Sequence, residues 1–169
     1  MSSDRRSKRL GELLVEQKLL TLHQLDQALR EQHRTREFLG AILIRLKIIQ
    51  PEALIMVLSR QFGIPYEPLT PERVDWTLVK QFPASVLSVG GCFPIRGDAE
   101  SVTVAIVNPL DVERLSMIER VVGFRRVIPV LVLERELQLV FHVYQQQALR
   151  AILEGRFEND GHHKDQSAG

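Results

Sequence analysis

Cysteine is nearly missing from this chain of 169 residues: Cys92 is the only one. An intramolecular disulfide is therefore excluded, and a reducing cytoplasm is the expected compartment. Long apolar runs are missing too. No stretch approaches the roughly 18 residues that a membrane span requires. The N-terminus MSSDRRSKRL carries charge without an apolar h-region, which excludes a secretory signal of the usual form. No direct membrane insertion is expected. The chain also lacks a strong excess of either charge, with a formal net charge of +1. That sum hides an asymmetry, because residues 1–61 hold 11 Lys/Arg against 7 Asp/Glu and the remainder is acidic. A surplus this small does not suit DNA binding, which needs a concentrated basic face.

The signatures of the common enzymes are absent as well. There is no GxxxxGK[ST] loop to cradle a nucleotide phosphate, no GxSxG elbow, no CxxC and no HExxH. Cys92 stands between Gly91 and Phe93 with no histidine near in sequence, so it reads as a small buried hydrophobe. The pair His162-His163 lies in a polar tail and supplies too few ligands for a metal site. No catalytic residue, metal or cofactor is assigned, and a non-enzymatic protein is expected.

What the chain does contain is the same sentence written twice. Residues 9–32 read RLGELLVEQKLLTLHQLDQALREQ, and residues 38–61 read FLGAILIRLKIIQPEALIMVLSRQ. At an offset of 29 they agree without a gap at seven positions: Leu10/Leu39, Gly11/Gly40, Leu14/Leu43, Lys18/Lys47, Leu25/Leu54, Leu29/Leu58 and Gln32/Gln61. Two copies are too few for a solenoid, so a pseudo-symmetric pair is expected. Each copy has the apolar spacing of two short helices. Thr21 with Gln24 makes a capping-box pattern, Pro51 suits a first helical position, and Gly63 followed by Pro65 stops the last helix.

The proline-punctuated IPYEPLTPERVD follows, and the grammar changes after it. Helices are predicted at 74–81 and 83–89. Strands are predicted at Cys92–Ile95 and Val102–Val107, a helix at Leu110–Val122 ending at Gly123, a strand at Val127–Val132 and a helix from Glu134 to Gln147 or a little beyond. The fold class is α+β. A four-short-helix subdomain made of the tandem repeat spans residues 1–63, and a linker 64–71. A small α/β subdomain with about three strands spans 72–148, and a polar, disordered tail 149–169.

Both copies follow RLGxxLxxxGxxxxxxLxxxLxxQ, with HRTRE between them. This resembles the MshEN domain, the cyclic-di-GMP-binding version of the N-terminal domain of type II secretion and type IV pilus assembly ATPases. The segments QFGIPYEPL and AIVNPLD resemble the junction and second half of that family, so the likeness covers about residues 7–146. It implies a cyclic di-GMP site with one half-site from Arg9, Leu10, Gly11, Leu14, Leu25, Leu29 and Gln32. The other half-site comes from Phe38, Leu39, Gly40, Leu43, Leu54, Leu58 and Gln61, with Asn108 reaching in from the second half. It implies a sensor or adaptor that relays ligand binding to a protein effector of a secretion, pilus or motility system. The chain ends before an ATPase could begin, so a stand-alone role is expected.

Residue chemistry agrees with that ligand in outline. A two-fold symmetric dinucleotide suits two equivalent half-sites. Guanine presents flat faces and an O6/N7 edge, and phosphates suit free backbone N–H groups. Leucines at helical spacing are equally the makings of a core. Two departures stand out. Phe38 replaces the arginine of the pattern, and a phenyl ring cannot hydrogen-bond a base edge; such a loss costs about 1.5–3 kcal/mol, or roughly 10- to 100-fold in affinity. Arg34, Arg36 and Arg60 are the arginines of this region that could compensate. Lys18 and Lys47 replace a glycine at helix ends. The competing expectation is a docking module that has lost nucleotide binding, which an exposed Phe38 would suit.

Overall fold

Each repeat closes into a pair of helices in the computed structural model, which describes residues 9–88, 90–123 and 125–161, the side chains of 155–161 excepted. The first copy gives α1 (Leu10–Glu16) and α2 (Leu22–Thr35), and the second gives α3 (Leu39–Arg45) and α4 (Pro51–Phe62). Thr21 starts α2 as expected: its hydroxyl accepts from the Gln24 backbone N–H at 3.2 Å, and the Gln24 side chain accepts from the Thr21 N–H at 2.8 Å. Pro51 opens α4, and Gly63, at φ 66°, ends it. The apolar stripes meet inside: Leu14, Ile42, Leu43 and Ala28 have no exposed surface.

The expected linker is stitched to the second half. Tyr66 forms a parallel bridge with Leu131, the Glu67 N–H donates to the Leu131 carbonyl at 2.9 Å, and the Leu131 N–H donates to the Pro65 carbonyl at 2.8 Å. Arg96 grips the Glu67 carboxylate with both nitrogens, at 2.6 and 2.9 Å, and holds that carboxyl below its ordinary pKa.

Beyond it come a 3₁₀ turn (Pro71–Arg73), α5 (Trp76–Val79), α6 (Ala84–Leu87), β1 (Cys92–Gly97) and β2 (Ser101–Ile106). The chain then adds α7 (Val112–Val122), β3 (Arg126–Leu131) and α8 (Glu134–Gly161). The sheet order is β1-β2-β3, antiparallel then parallel, with α7 crossing between the parallel pair. Asp98 builds the hairpin turn, its carboxylate accepting from the N–H groups of Glu100 and Ser101 at 2.8 Å each. Both outer strands carry a proline opposite the same central residue: Pro94 and Pro129 each pair with Val104. Phe93, fully buried in β1, carries α8 on the sheet through edge-to-face contacts with Phe141 at 5.2 Å and Tyr144 at 5.8 Å.

Element boundaries differ from the sequence reading where side chains intercept the backbone. In place of one helix over 74–81 there is the 3₁₀ turn and then α5, because the Asp75 carboxylate caps the N–H groups of Thr77 and Leu78. Asp111 likewise delays α7 to Val112. At the other end, α8 continues past Gln147 through Gly161, into the segment expected to be an aperiodic tail. Ala148 and Ala151 are strong helix formers, and Arg150 pairs with Glu154 one turn on at 2.6 Å. His162 and His163 lie outside the described residues.

Candidate functional site

The two repeats build matching cradles. Arg9 and Phe38 are the extended N-cap residues of α1 and α3, at φ −68°, ψ 148° and φ −66°, ψ 139°. At Arg9 the Glu12 carboxylate accepts from the backbone N–H at 3.1 Å, while the guanidinium is exposed to solvent. Gly11 and Gly40 let each short helix press on its partner. A Cβ at Gly11 would lie 2.6 Å from Leu25 Cδ1, and one at Gly40 would lie 2.9 Å from Leu54 Cδ2. Both helices end alike. The N–H groups of Lys18 and Leu19 donate to the carbonyls of Val15 and Leu14, and those of Lys47 and Ile48 donate to Ile44 and Leu43, all at 2.9 Å. This is the Schellman arrangement, and it sets Lys18 at φ 58° and Lys47 at φ 56°.

Polar side chains fix the repeats against each other. Gln32 Nε2 donates to the Glu37 carbonyl at 3.0 Å, holding the connection that delivers Phe38. Arg45 of α3 reaches Glu31 of α2 at 3.0 Å and Glu37 at 3.1 Å, while Arg34 also holds Glu31. The Arg34 and then the Arg45 guanidinium bring the Glu31 carboxyl down to about 2.

A groove of about 690 Å³ lies where the second repeat faces the α/β half, a size typical of sites for drug-sized ligands. One wall comes from Phe38, Leu39, Gly40, Leu54 and Leu58, with Leu10 and Gln32 of the first repeat at its edge. The other wall holds Gly90, Gly91, Asn108, Arg114, Arg135 and Phe141. Arg114 Nε pairs with Asp111 at 3.1 Å, and Arg135 pairs with Glu52 at 2.6 Å, tying α8 to α4. The Glu52 carboxyl lies below its ordinary pKa, first through its own backbone N–H and then through Arg135.

The residues expected to form two half-sites thus separate into three sets. Leu10, Gln32, Phe38, Leu39, Gly40, Leu54, Leu58 and Asn108 share the groove. Leu14 and Leu43 are wholly buried core. Arg9, Gly11, Leu25, Leu29 and Gln61 do not line the groove; Arg9 is exposed and Leu29 is partly so. Asn108 also shapes its own turn, its side-chain carbonyl accepting from the Leu110 N–H at 3.0 Å. The sequence reading missed Arg114 and Arg135. Only the Gly90-Gly91 pair hinted at a special backbone nearby, and both glycines have positive φ, 77° and 73°. Cys92 is buried, its thiol pushed up to about 11 by burial, which leaves it unreactive. Among the described residues, no cluster of His, Cys, Asp or Glu could hold a metal ion, and no helix is long and apolar enough to cross a membrane.

Comparison with known proteins places this architecture. The chain is 29% identical over 118 residues to the type IV pilus assembly ATPase PilB of Myxococcus xanthus. It is 30% identical over 138 residues to bacteriophage adsorption protein B of Escherichia coli K12. Those matches cover 70% and 81% of this chain, which spans only about a fifth of either relative, 21% and 18%. Among solved structures, MshE with cyclic di-GMP superposes with a TM-score of 0.70 at 27% identity, covering 81% of this chain and 99% of that one. The N-terminal domain of XpsE shares the fold, with a TM-score of 0.63 at 18% identity, covering 81% of this chain and 94% of that one. The MshEN domain profile matches residues 62–151, which take in the end of α4, the stitched linker, the whole sheet and most of α8. The chain belongs to the MshEN domain family.

Proposed function

We propose that this chain is a bacterial cyclic-di-GMP sensor that works in the cytoplasm and passes ligand binding to a protein effector of a secretion, pilus or motility system. The carrying observation is the duplicated cradle: two helices of seven residues, with the same entry geometry, the same glycine contact and the same left-handed ending. A two-fold symmetric dinucleotide is the ligand that such a pair suits. The likeness to MshE, solved with cyclic di-GMP, supports the same reading.

The half-sites are unequal. Most of the second lines the groove against the α/β half, while of the first only Leu10 and Gln32 reach it, and Arg9 and Leu29 are exposed. A ligand spanning both would touch the two halves of the molecule at once. It would favour the closed arrangement by its differential affinity for it, and that is the signal the effector reads. Isothermal titration tests this. Cyclic di-GMP is expected to bind at micromolar or tighter affinity, with no heat from GTP, ATP or cyclic di-AMP, and Arg9→Ala and Gln32→Ala should abolish the signal. Absence of binding at a hundred micromolar ligand would refute it.

One observation favours a docking module instead. Phe38 is 46% exposed at the rim of an apolar groove, as a protein-binding side chain would be. Under that reading the same titration is silent.

A further inference from the structure

The second repeat has lost its arginine, and the groove shows where a replacement stands. Arg34, Arg36 and Arg60, the neighbours in sequence, do not line it, and Arg34 is held by both oxygens of Glu31 at 3.1 and 2.8 Å. Among the described residues, the arginines that do line it, Arg114 and Arg135, come from the α/β half. They differ in what occupies them. Arg135 spends Nη1 on Glu52 of α4 at 2.6 Å. Arg114 meets Asp111 through Nε at 3.1 Å, so this ion pair is carried by the inner nitrogen, and Nη1 lies against Gly91, itself a groove residue.

The backbone makes room for that fork. A Cβ on Gly91 would overlap Arg114 Nη1, and Gly91 also holds φ 73°, which side-chain-bearing residues rarely adopt. Asp111 is fixed in turn by capping α7, accepting from the Arg114 N–H at 3.4 Å. The guanidinium is therefore seated on a glycine and braced by a capping carboxylate, and its side chain remains 40% exposed. A planar two-nitrogen fork matches the O6/N7 edge of guanine; an ammonium can donate there but lacks the fixed geometry, and a phenyl ring has no donor.

We propose that Arg114, from the α/β half, is the guanine-reading residue of the second half-site, taking the role that Phe38 cannot perform. This rests on the cyclic di-GMP reading above. Phe38 then serves as a stacking face, and the base is clamped between a repeat residue and an α/β residue.

The test is titration of the full chain with cyclic di-GMP and with cyclic di-IMP, whose hypoxanthine keeps O6 and N7 but lacks the 2-amino group. The proteins compared are the wild type, Arg114→Ala, Arg114→Lys and Arg120→Ala. Arg114→Ala should weaken both ligands roughly 10- to 100-fold. Arg114→Lys should restore only part of that, because an ammonium lacks the fixed planar fork, whereas Arg120→Ala, at an exposed α7 position outside the groove, should stay within about threefold. Cyclic di-AMP, with the same phosphates but no O6, should gain relative to cyclic di-GMP in Arg114→Ala. Wild-type affinity in Arg114→Ala, or full rescue by lysine, overturns the assignment while leaving the sensor reading in place. A silent wild type overturns both. If Arg114→Ala does not fold, the lysine variant carries the decision.

Discussion

Replacing Lys18 and Lys47 by glycine should make this protein more stable. Each lysine holds a left-handed conformation, at φ 58° and 56°, to complete a Schellman ending. An L-residue there suffers a Cβ–carbonyl clash of roughly 1–2 kcal/mol, which glycine lacks. Two effects oppose the gain. Glycine loses more backbone freedom on folding, at about 0.5–1 kcal/mol. Removing an exposed cation from a helix C-terminus forfeits about 0.3 kcal/mol of macrodipole interaction. The clash still wins, by about 0.5 kcal/mol per site, so the double variant should gain about 1 kcal/mol; for a chain of this size that is about 2–4 °C in Tm. Urea unfolding followed by Trp76 fluorescence would read it as a higher midpoint at unchanged slope. Lys18→Met with Lys47→Met is the control, since methionine keeps the clash and removes the charge, and it should be neutral or slightly destabilising. A glycine double variant no more stable than wild type would mean that the lysine side chains make interactions worth as much as the clash, and the backbone reasoning would fail.

Acid should loosen the contact between the repeats. The Glu31 pKa is lowered to about 2 in the folded protein by Arg34 and Arg45, so its contribution is complete above the unfolded carboxyl value near 4.5 and fades as pH falls from there toward 2. Glu31→Gln should flatten the Tm-against-pH curve across that window and leave its shape near pH 7 unchanged; identical curves would refute the coupling. Core and groove leucines should also separate: Leu43→Ala, at a wholly buried position, should cost about 2–5 kcal/mol in urea unfolding. Leu39→Ala, at a half-buried groove position, should weaken cyclic di-GMP in titration with a smaller loss of stability.

Local chemistry was the legible part of the sequence. Thr21, Pro51 and Gly63 mark helix ends because capping and φ preference act within three or four residues, and all three stand where that chemistry puts them. The α+β class and the three strands followed from the change of period after the prolines. The leucines were ambiguous: Leu14, Leu39 and Leu43 share one spacing, yet the first and third are wholly buried core while Leu39 lines the groove. Spacing fixes a helix face, but what that face meets is decided by the second half of the chain. Arg114 was invisible for the same reason, because its place beside Gly91 comes from β1 and α7 meeting in space. The extension of α8 was missed because Leu149, Ile152 and Leu153 remain exposed, so no amphipathic burial marks the helix there.

The two prolines opposite Val104 bear on how a partner could attach. A proline sits comfortably in an outer strand when the missing N–H would have pointed away from the sheet. Pro94 and Pro129 therefore leave a gap in the donor row of each free margin, and the Tyr66 segment already occupies part of the β3 side. Neither border offers an unbroken template for a foreign strand, which also helps to guard the sheet against self-templated growth. An effector of the kind proposed would then meet its helices and loops, by side-chain recognition.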